Sequence, residues 1–367
     1  MPERPPSPRL RVLPKTDLHL HALGALRPTT VLDLARRRGA PILPVGEAGA
    51  AEGGYRFEDL SAFVAFFLGL FELALDAPAL ERITFEVLED AAAEGCRYAE
   101  LRFTPTSHLD RGAEEQAFFA GIEAGRRAAE EACAIEARLV LDFPRTRGPE
   151  VAEKTLHLAL RHRAEGVVGL DVAGDERATG FDPCFVPVSE EARRRGLIVT
   201  AHAGEGAGPE SVRAAVEAYG ARRIGHGTRA AEDPSLLDLL ARRGVVLEVC
   251  PSSNVALGVV DALAHHPLPR FLRAGVVCTI ATDDPALFST TLTREYERLH
   301  DEAGMGWAAL GRLAAAGFAA AARDLDRSEG ALAARLDAWE AQARAWARAW
   351  AREEGPSPPV PGGESRP

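Results

Sequence analysis

Two histidines at the end of a short apolar run are the first residues that could do chemistry. His19 lies inside the run Thr16–Leu20 and His21 follows it directly. Residues two apart on a β-strand point to the same side, so both imidazoles could hold one metal ion. Two buried histidines that only pack would show the same spacing. The pair alone therefore indicates a candidate metal site and nothing further.

Three later segments also place histidines or carboxylates directly after apolar runs. They are Thr200–Glu205, which contains His202 and Glu205, Gly225–Gly227, which contains His226, and Thr282–Pro285, which contains Asp283 and Asp284. Each segment alone could be a helix cap, a buried histidine or a glycine turn. Because all of them follow the carboxyl ends of successive runs, we predict that they build one active site, as the loops of a parallel barrel do at that end.

The side-chain types at these positions suit zinc. Three imidazoles and one carboxylate, from His19, His21, His202 and Asp283, form a nitrogen and oxygen donor set that leaves a position for water. No cysteine lies among them, and the run Val167–Val172 has no lysine to bridge two metals. We therefore predict one Zn²⁺ per chain, which would bring a bound water to a pKa of about 7 and supply hydroxide at neutral pH.

Three residues remain for moving protons and gripping a substrate. Glu205 follows His202 by three residues across a glycine turn, so it can face the cavity beside the metal. His226 can reach the metal-bound water from the next strand. Asp284 diverges from its neighbour Asp283, so we expect it to point to the substrate.

Short apolar runs that alternate with helical stretches must position these residues. Such alternation favours a parallel sheet, and eight units in about 270 residues match a (β/α)₈ barrel. A doubly wound open sheet is the alternative, but only a closed ring brings the first and eighth strands side by side. We therefore predict an α/β fold of the TIM-barrel type. The predicted strands are Thr16–Leu20, Tyr98–Thr104, Arg138–Phe143, Val167–Val172, Ile198–His202, Arg223–Gly225, Val245–Val249 and Val277–Ala281.

Two long insertions add helices to this alternation. Residues 24–95 follow the first strand and contain an apolar helical pattern, formed by Leu60, Phe63, Val64 and Phe67. This pattern predicts either a helix packed on the barrel or an apolar lid over the active site. Residues 292–352 read as extra C-terminal helices with a stripe of Leu332, Leu336, Trp339, Ala343, Trp346 and Trp350. The stripe predicts a packing face, and a second subunit could cover it in a homo-oligomer.

Composition and charge limit the classes of molecule that this protein could bind. The net charge of −11 gives no general attraction for nucleic acid or anionic lipid, and no apolar run is long enough to span a membrane. Five scattered cysteines and a start without an apolar signal segment are typical of a cytoplasmic protein. Proline-rich residues 1–10 and 353–367 are expected to be disordered, and residues 11–352 to form one metallo-dependent hydrolase domain.

Six segments, which cover about residues 13–296, resemble the adenosine deaminase family of the amidohydrolase superfamily. They read LPKTDLHLHALGALRP, VGLDVAGDE, VTAHAGEGAGPESV, RRIGHGTRA, LEVCPSSNVALG and TIATDDPALFSTTLTREY. The resemblance implies a TIM-barrel enzyme that adds hydroxide to C6 of a 6-aminopurine nucleoside and releases ammonia. A neutral aromatic amine is a poor leaving group, so this chemistry needs a metal, an acid and a base together.

The same resemblance implies a role for each matching residue. His19, His21, His202 and Asp283 would bind zinc, and His21 would also contact substrate. Glu205 would protonate purine N1, and His226 would orient and deprotonate the attacking water. Asp284 would hydrogen-bond N7, the backbone N–H of Gly174 would meet N3, and the lid would consist of Leu60, Phe63, Val64 and Phe67.

One residue departs from the family pattern. Adenosine deaminases usually carry an acidic residue two positions after the second histidine, where it receives the ribose 5′-hydroxyl, and adenine deaminases carry glutamate there. This chain has Leu23, and an unpaired buried hydroxyl would cost roughly 1–3 kcal/mol. A purine nucleoside with an apolar or bulky 5′ group, such as 6-aminodeoxyfutalosine of menaquinone synthesis, is therefore an alternative substrate, as is adenine. A barrel that only binds its ligand is the alternative outside enzymes.

Overall fold

Eight parallel strands form the centre of the computed structural model, which describes residues 7–39, 55, 66–324 and 329–354. They are β1 Lys15–His21, β2 Cys96–Phe103, β3 Glu136–Pro144, β4 Val167–Ala173, β5 Ile198–Ala203, β6 Arg223–His226, β7 Val246–Val249 and β8 Val277–Ile280. Each strand pairs in parallel with the next along the chain. Eight predicted strands therefore match eight observed ones, with ends shifted by at most three residues.

The ring closes between the first and last strands. Leu20 forms a parallel bridge with Asp283. The N–H of His21 donates to the carbonyl of Asp283, and the N–H of Asp283 donates to the carbonyl of His19, both at 2.9 Å. The predicted TIM barrel is confirmed, and the open doubly wound sheet is excluded because its edge strands could not meet in this way.

Helices surround the strands. They are α1 Pro8–Val12, α2 Pro28–Arg38, α3 Ala77–Ala93, α4 Pro105–Leu109, α5 Glu115–Cys133, α6 Pro149–Arg161, α7 Val186–Arg194, α8 Pro209–Ala214, α9 Pro234–Arg243, α10 Pro251–Ala256, α11 Leu268–Arg273, α12 Leu292–Asp301, α13 Trp307–Asp324 and α14 Gly330–Glu354. Proline in the first turn and an aspartate cap start several of them; Asp76, for example, accepts the N–H of Ala79 at the start of α3. In the described part of the chain no helix is long and apolar enough to cross a bilayer.

Ion pairs occupy the inside of the barrel where apolar layers are usual. Arg102 of β2 contacts Asp171 of β4 at 2.6 Å and Glu248 of β7 at 2.5 Å, and all three side chains are fully buried. Arg223 of β6 pairs with Glu100 and lies 3.3 Å from Glu248. A buried charge needs such partners, so these side chains form one connected network beneath the active site.

Two segments expected to be disordered contain helical residues in the part of the chain that the structure describes. Residues 8–10 belong to α1 because the side chain of Leu10 is fully buried in the core, so the expectation of disorder through residue 10 is wrong there. Helix α14 continues through Glu353 to Glu354, whose carboxylate accepts the N–H groups of Trp307 and Ala308 at the start of α13. Disorder from residue 353 is therefore also wrong for those two glutamates.

The tryptophan stripe packs within the chain. Trp350 is 1% exposed, with its ring 5.8 Å from that of Trp307 on α13, and the rings of Trp339 and Phe318 lie 5.9 Å apart. The predicted packing face is thus covered by α13. The stripe therefore gives no support to a second subunit at this position.

Candidate active site

A cavity opens at the carboxyl ends of the strands, as the sequence predicted. The described residues enclose a volume of about 820 Å³. Its polar wall contains His21, Gly174, Glu176, Arg177, His202, Glu205, His226, Asp283 and Asp284, and its apolar wall contains Phe67, Ala256, Leu257, Val259, Leu287 and Phe288. Predicted site residues from five different strands and loops thus share one cavity.

Four of them converge as a metal site would require. Nε2 of His202 lies 3.0 Å from Nε2 of His19 and 3.3 Å from Nε2 of His21. Oδ1 of Asp283 lies 3.5 Å from Nε2 of His19 and 3.4 Å from Nε2 of His21. Tetrahedral zinc with bonds of about 2.0–2.1 Å has ligand atoms about 3.3–3.4 Å apart, so this donor set has the dimensions that zinc needs.

Buried carboxylates determine which nitrogen of the His19 and His202 rings faces the centre of the four-residue cluster. Nδ1 of His19 contacts Glu248 at 3.0 Å, and Nδ1 of His202 contacts Asp171 at 2.9 Å. Glu248 accepts the Nδ1 proton of His19, and the charge of Asp171 beside Nδ1 of His202 favours the proton on that nitrogen, so the Nε2 atoms carry lone pairs that face each other. Such lone pairs repel unless a cation lies among them. The arrangement therefore fits a metal ion better than a hydrogen-bonded histidine cluster.

Arg102 joins the two supporting carboxylates, because it contacts both Asp171 and Glu248. Sequence reasoning missed all three residues. A signal for Glu248 was present: it is a single charge between Leu247 and Val249 in an apolar strand. Its pairing with an arginine from the far side of the barrel could not be seen locally.

Two of the site residues have left-handed backbone. His226 has φ +63° and Asp283 has φ +64°, which is uncommon for residues other than glycine. Close packing surrounds them: a Cβ at Gly225 would lie 2.5 Å from Cε1 of His19, so only glycine fits before His226. Oδ2 of Asp283 also accepts the hydroxyl of Ser253 at 2.7 Å.

A chain of hydrogen bonds sets the proton on His226. The N–H of Leu268 donates to Nδ1 of His266, so that ring carries its proton on Nε2 and donates to Oδ1 of Asn254. The amide of Asn254 then donates to Nδ1 of His226 at 3.2 Å. Burial lowers the pKa of His266 to about 4, which keeps it neutral. His226 is thus left with its Nε2–H facing the cavity.

Glu205 and Asp284 complete the polar wall. Oε1 of Glu205 lies 3.7 Å from Nε2 of His226, with the Glu205 side chain 22% exposed. Oδ1 of the half-buried Asp284 lies against Gly24 and has no hydrogen-bond partner among the described residues. Burial, and then the charges of Asp283 and Glu205, raise the pKa of Asp284 well above its ordinary value. Asp284 therefore holds a proton more readily than an ordinary aspartate, and in its protonated form it can donate a hydrogen bond.

Of the other predicted site residues, some line the cavity and some do not. Gly174, with φ +87°, lines the cavity just beyond β4. Leu23 begins the short 3₁₀ helix Leu23–Ala25, is 5% exposed and packs in the core without lining the cavity. Phe67 lines the apolar wall. Leu60, Phe63 and Val64 lie outside the described residues.

Comparison with known proteins agrees with this arrangement. The adenosine deaminase family model matches residues 14–339. An aminodeoxyfutalosine deaminase of Streptomyces avermitilis is 39% identical over 86% of this chain and 90% of its own length. An adenosine deaminase of Serratia proteamaculans is 39% identical over 80% and 89%, and an adenine deaminase of Streptomyces coelicolor is 38% identical over 86% and 92%.

A solved structure gives the same result for the fold. An amidohydrolase from Burkholderia ambifaria with bound zinc superposes with a TM-score of 0.83 at 29% identity, and covers 94% of each chain. The resemblance seen in the sequence is confirmed: this chain belongs to the adenosine deaminase family of hydrolytic deaminases.

Proposed function

We propose that this protein is a zinc-dependent deaminase of a 6-aminopurine nucleoside. Water would replace the 6-amino group, giving a 6-oxopurine of the inosine type and ammonia. The observation that carries the proposal is the metal-sized cluster of His19, His21, His202 and Asp283, of which the last three line one cavity with Glu205. The cluster supplies a metal site and Glu205 supplies a proton-transfer group, which this reaction needs together.

The four cluster residues would hold one zinc ion per chain. When bound there, zinc supplies the Lewis acidity that makes water a nucleophile at neutral pH. A zinc-bound structure within the family fold supports this choice of metal, and the Nε2 lone pairs of His19 and His202 support it independently.

The remaining polar groups would bind and protonate the purine. Glu205 would give a proton to N1, which makes C6 more electrophilic. In its protonated form Asp284 would donate to N7, and the N–H of Gly174 would donate to N3. His226 presents its Nε2–H to the cavity, so it would orient water as a hydrogen-bond donor, and its deprotonating role would require the other tautomer.

The apolar wall favours a second candidate substrate within the same reaction. Phe67, Leu287 and Phe288 line the cavity, and no acidic residue stands at position 23 to receive a 5′-hydroxyl. An adenosine with an apolar or extended 5′ group, of the 6-aminodeoxyfutalosine type, would bury its substituent against such a wall. The relative from Streptomyces avermitilis carries that name.

A substrate panel with metal analysis tests the proposal. Purified protein with measured zinc content is incubated with adenosine, 5′-deoxyadenosine, 6-aminodeoxyfutalosine and adenine, and ultraviolet absorbance and ammonia release are followed. We expect deamination of at least one nucleoside. Zinc-loaded protein that binds these purines and releases no ammonia would instead identify a binding protein, and activity on adenine alone would reject the nucleoside assignment.

A further inference from the structure

A buried carboxylate that none of the proposed steps uses lies beside the active site. Glu176 follows β4, two residues after Gly174, and only 4% of it is exposed. Its side chain extends to the turn after β5, residues 204–207, which carries Glu205. A buried carboxylate needs strong hydrogen-bond partners, and the turn provides them.

Four consecutive backbone N–H groups donate to this one side chain. Oε1 accepts the N–H of Gly204 at 2.9 Å and the hydroxyl of Ser211, and Oε2 accepts the N–H groups of Glu205 at 3.0 Å, Gly206 at 2.7 Å and Ala207 at 2.8 Å. Convergent N–H groups of a turn form a concave site for an anion. Here the anion belongs to the protein itself.

The carbonyl of Gly204 accepts the N–H of Arg229 at 2.8 Å, but the N–H groups of the turn rely on Glu176. Gly204 leaves β5 with φ +71°, and a Cβ there would lie 2.5 Å from a methyl group of Val212, so the turn requires glycine. Among the described residues the N–H groups of 204–207 donate to Glu176 alone. Burial raises the pKa of Glu176, but the hydrogen bonds from Ser211, Ala207 and Gly204 outweigh it and hold that pKa below its ordinary value.

Arg145 braces the same two strand ends from outside the cavity. Its guanidinium donates to the carbonyls of Val172 and Ala173 on β4 and of His202 on β5. The backbone beneath both loops is therefore fixed, and the freedom that remains lies in the turn itself.

We propose that Glu176 is a positioning residue for Glu205. It would hold the turn so that the Glu205 carboxyl faces purine N1, while Gly174, in the loop of Glu176 itself, faces N3. This inference rests on the proposed function, because it assigns Glu205 a proton transfer. Such a transfer requires donor and acceptor within about 2.6–3.2 Å, so a small displacement of the turn would lower the catalytic rate.

Four variants, including Glu205→Gln alone, and a control test this role in the zinc-loaded protein. Glu176→Gln replaces one carboxylate oxygen by a donor that cannot accept from the turn. Ser211→Ala removes one of the five hydrogen bonds and serves if Glu176→Gln fails to fold. Glu205→Gln is combined with Glu176→Gln in a double variant. The control is Glu210→Gln, an exposed neighbour that accepts one N–H, from Gly208.

Kinetics on the best substrate of the panel should show that the losses of kcat at Glu176 and Glu205 are not independent. We expect Glu176→Gln to lower kcat at least tenfold with unchanged zinc content, Ser211→Ala to lower it at least twofold, and Glu210→Gln to match the wild type. The double variant should be no slower than Glu205→Gln alone, because removing the acid also removes what Glu176 positions. Hydrogen exchange at residues 204–207 should rise in Glu176→Gln and stay unchanged in the control.

The contrary outcomes separate the two proposals. If the wild type deaminates no purine of the panel, the proposed function fails and the role of Glu176 fails with it. If the wild type is active but Glu176→Gln has normal kcat, or if the losses of the two single variants multiply in the double variant, only the role of Glu176 is overturned. Loss of zinc from Glu176→Gln would show a general structural role and would also overturn it.

Discussion

Nε2 of His19 lies 3.0 Å from Nε2 of His202, although the two rings come from β1 and β5 on different parts of the barrel. Both rings turn Nδ1 to a carboxylate, so neither Nε2 has a proton for the other. The contact is unfavourable without a cation and favourable with one. The first two predictions follow from this relationship.

The metal content should be one zinc per chain. His202→Ala removes a nitrogen from the centre of the cluster, so the purified variant should lose zinc and activity together, as measured by elemental analysis. His265→Ala is the matched control, because the His265 side chain is exposed and its Nδ1 contacts Asp261 on the surface. Two metal ions per chain, or none in active protein, would contradict the prediction.

The carboxylate behind His19 should strengthen metal binding. Glu248→Gln keeps the size of the side chain but removes the charge that supports the ring and pairs with Arg102. Partners of this kind are worth about 10–100-fold in metal affinity. Competition with a chelator should show a loss in that range, and an unchanged affinity would mean that Glu248 serves only the ion-pair network.

Glu205→Gln should keep the fold and the zinc but lose catalysis. General acid–base groups contribute about 10²–10⁴-fold, so kcat should fall by about 100-fold or more. Glu210→Gln, on the same segment but exposed, should keep normal turnover. Near-normal turnover of Glu205→Gln would reject the proton transfer assigned to Glu205.

Leu23 should influence which 5′ substituent of the nucleoside substrate the protein prefers. Leu23 is buried next to Gly24, which contacts Asp284. Wild-type protein should process 5′-deoxyadenosine or 6-aminodeoxyfutalosine at least as efficiently as adenosine. Leu23→Asp should shift kcat/KM toward adenosine by about tenfold if one hydrogen bond of about 1.4 kcal/mol is gained.

Two further variants at position 23 distinguish the effect of a new hydrogen-bond acceptor from the effect of altered packing. Leu23→Met keeps an apolar side chain of similar volume and should leave the substrate ratio unchanged. Leu23→Asn supplies an acceptor without a buried charge. A strong wild-type preference for adenosine over all 5′-modified analogues would show that another residue binds the hydroxyl, since Leu23 itself does not line the cavity.

Lys15 should make stability depend on pH. Burial lowers the pKa of Lys15 to about 7 from 10.5. Between these values the unfolded chain holds the proton and the folded chain does not, so the contribution of Lys15 to the free energy of unfolding rises with pH. Lys15→Met should therefore be most favourable relative to wild type near pH 7, and the difference should shrink toward pH 10.

Denaturant unfolding at several pH values between 7 and 10 measures this effect. The only other lysine of the sequence, Lys154, has a half-exposed side chain and lies beside Asp110, so Lys154→Met is the control. A pH-independent difference between Lys15→Met and wild type would show that Lys15 is protonated in the folded protein throughout this range.

The barrel and the residues at its mouth were predictable because both leave local signals. Apolar runs mark strands, and polar residues such as His226 at their ends mark the side on which loops build a site. The support beneath the site leaves no such signal. Arg102 meets Glu248 across 146 positions of sequence, and Glu176 accepts from a turn that begins 28 residues later. Such partners become neighbours only once the ring closes.

At position 23 the sequence revealed an unusual residue but not the direction of its side chain. A departure from a family pattern could be read from the sequence, but residue type does not reveal whether Leu23 faces the cavity or the core. The structure places it in the core. Leu23→Asp can therefore bind a 5′-hydroxyl only if the 3₁₀ helix Leu23–Ala25 turns the new carboxylate into the cavity.

Because His226 and Asp283 have left-handed backbone, thermal stability and catalytic activity favour different residues at these two positions. Glycine adopts this conformation at a lower cost than histidine or aspartate, by about 1–2 kcal/mol. A library selected only for survival at high temperature should therefore become enriched in glycine at positions 226 and 283. Each such survivor would lose a side chain from the active site, so a screen for robust variants must include turnover to keep a working enzyme.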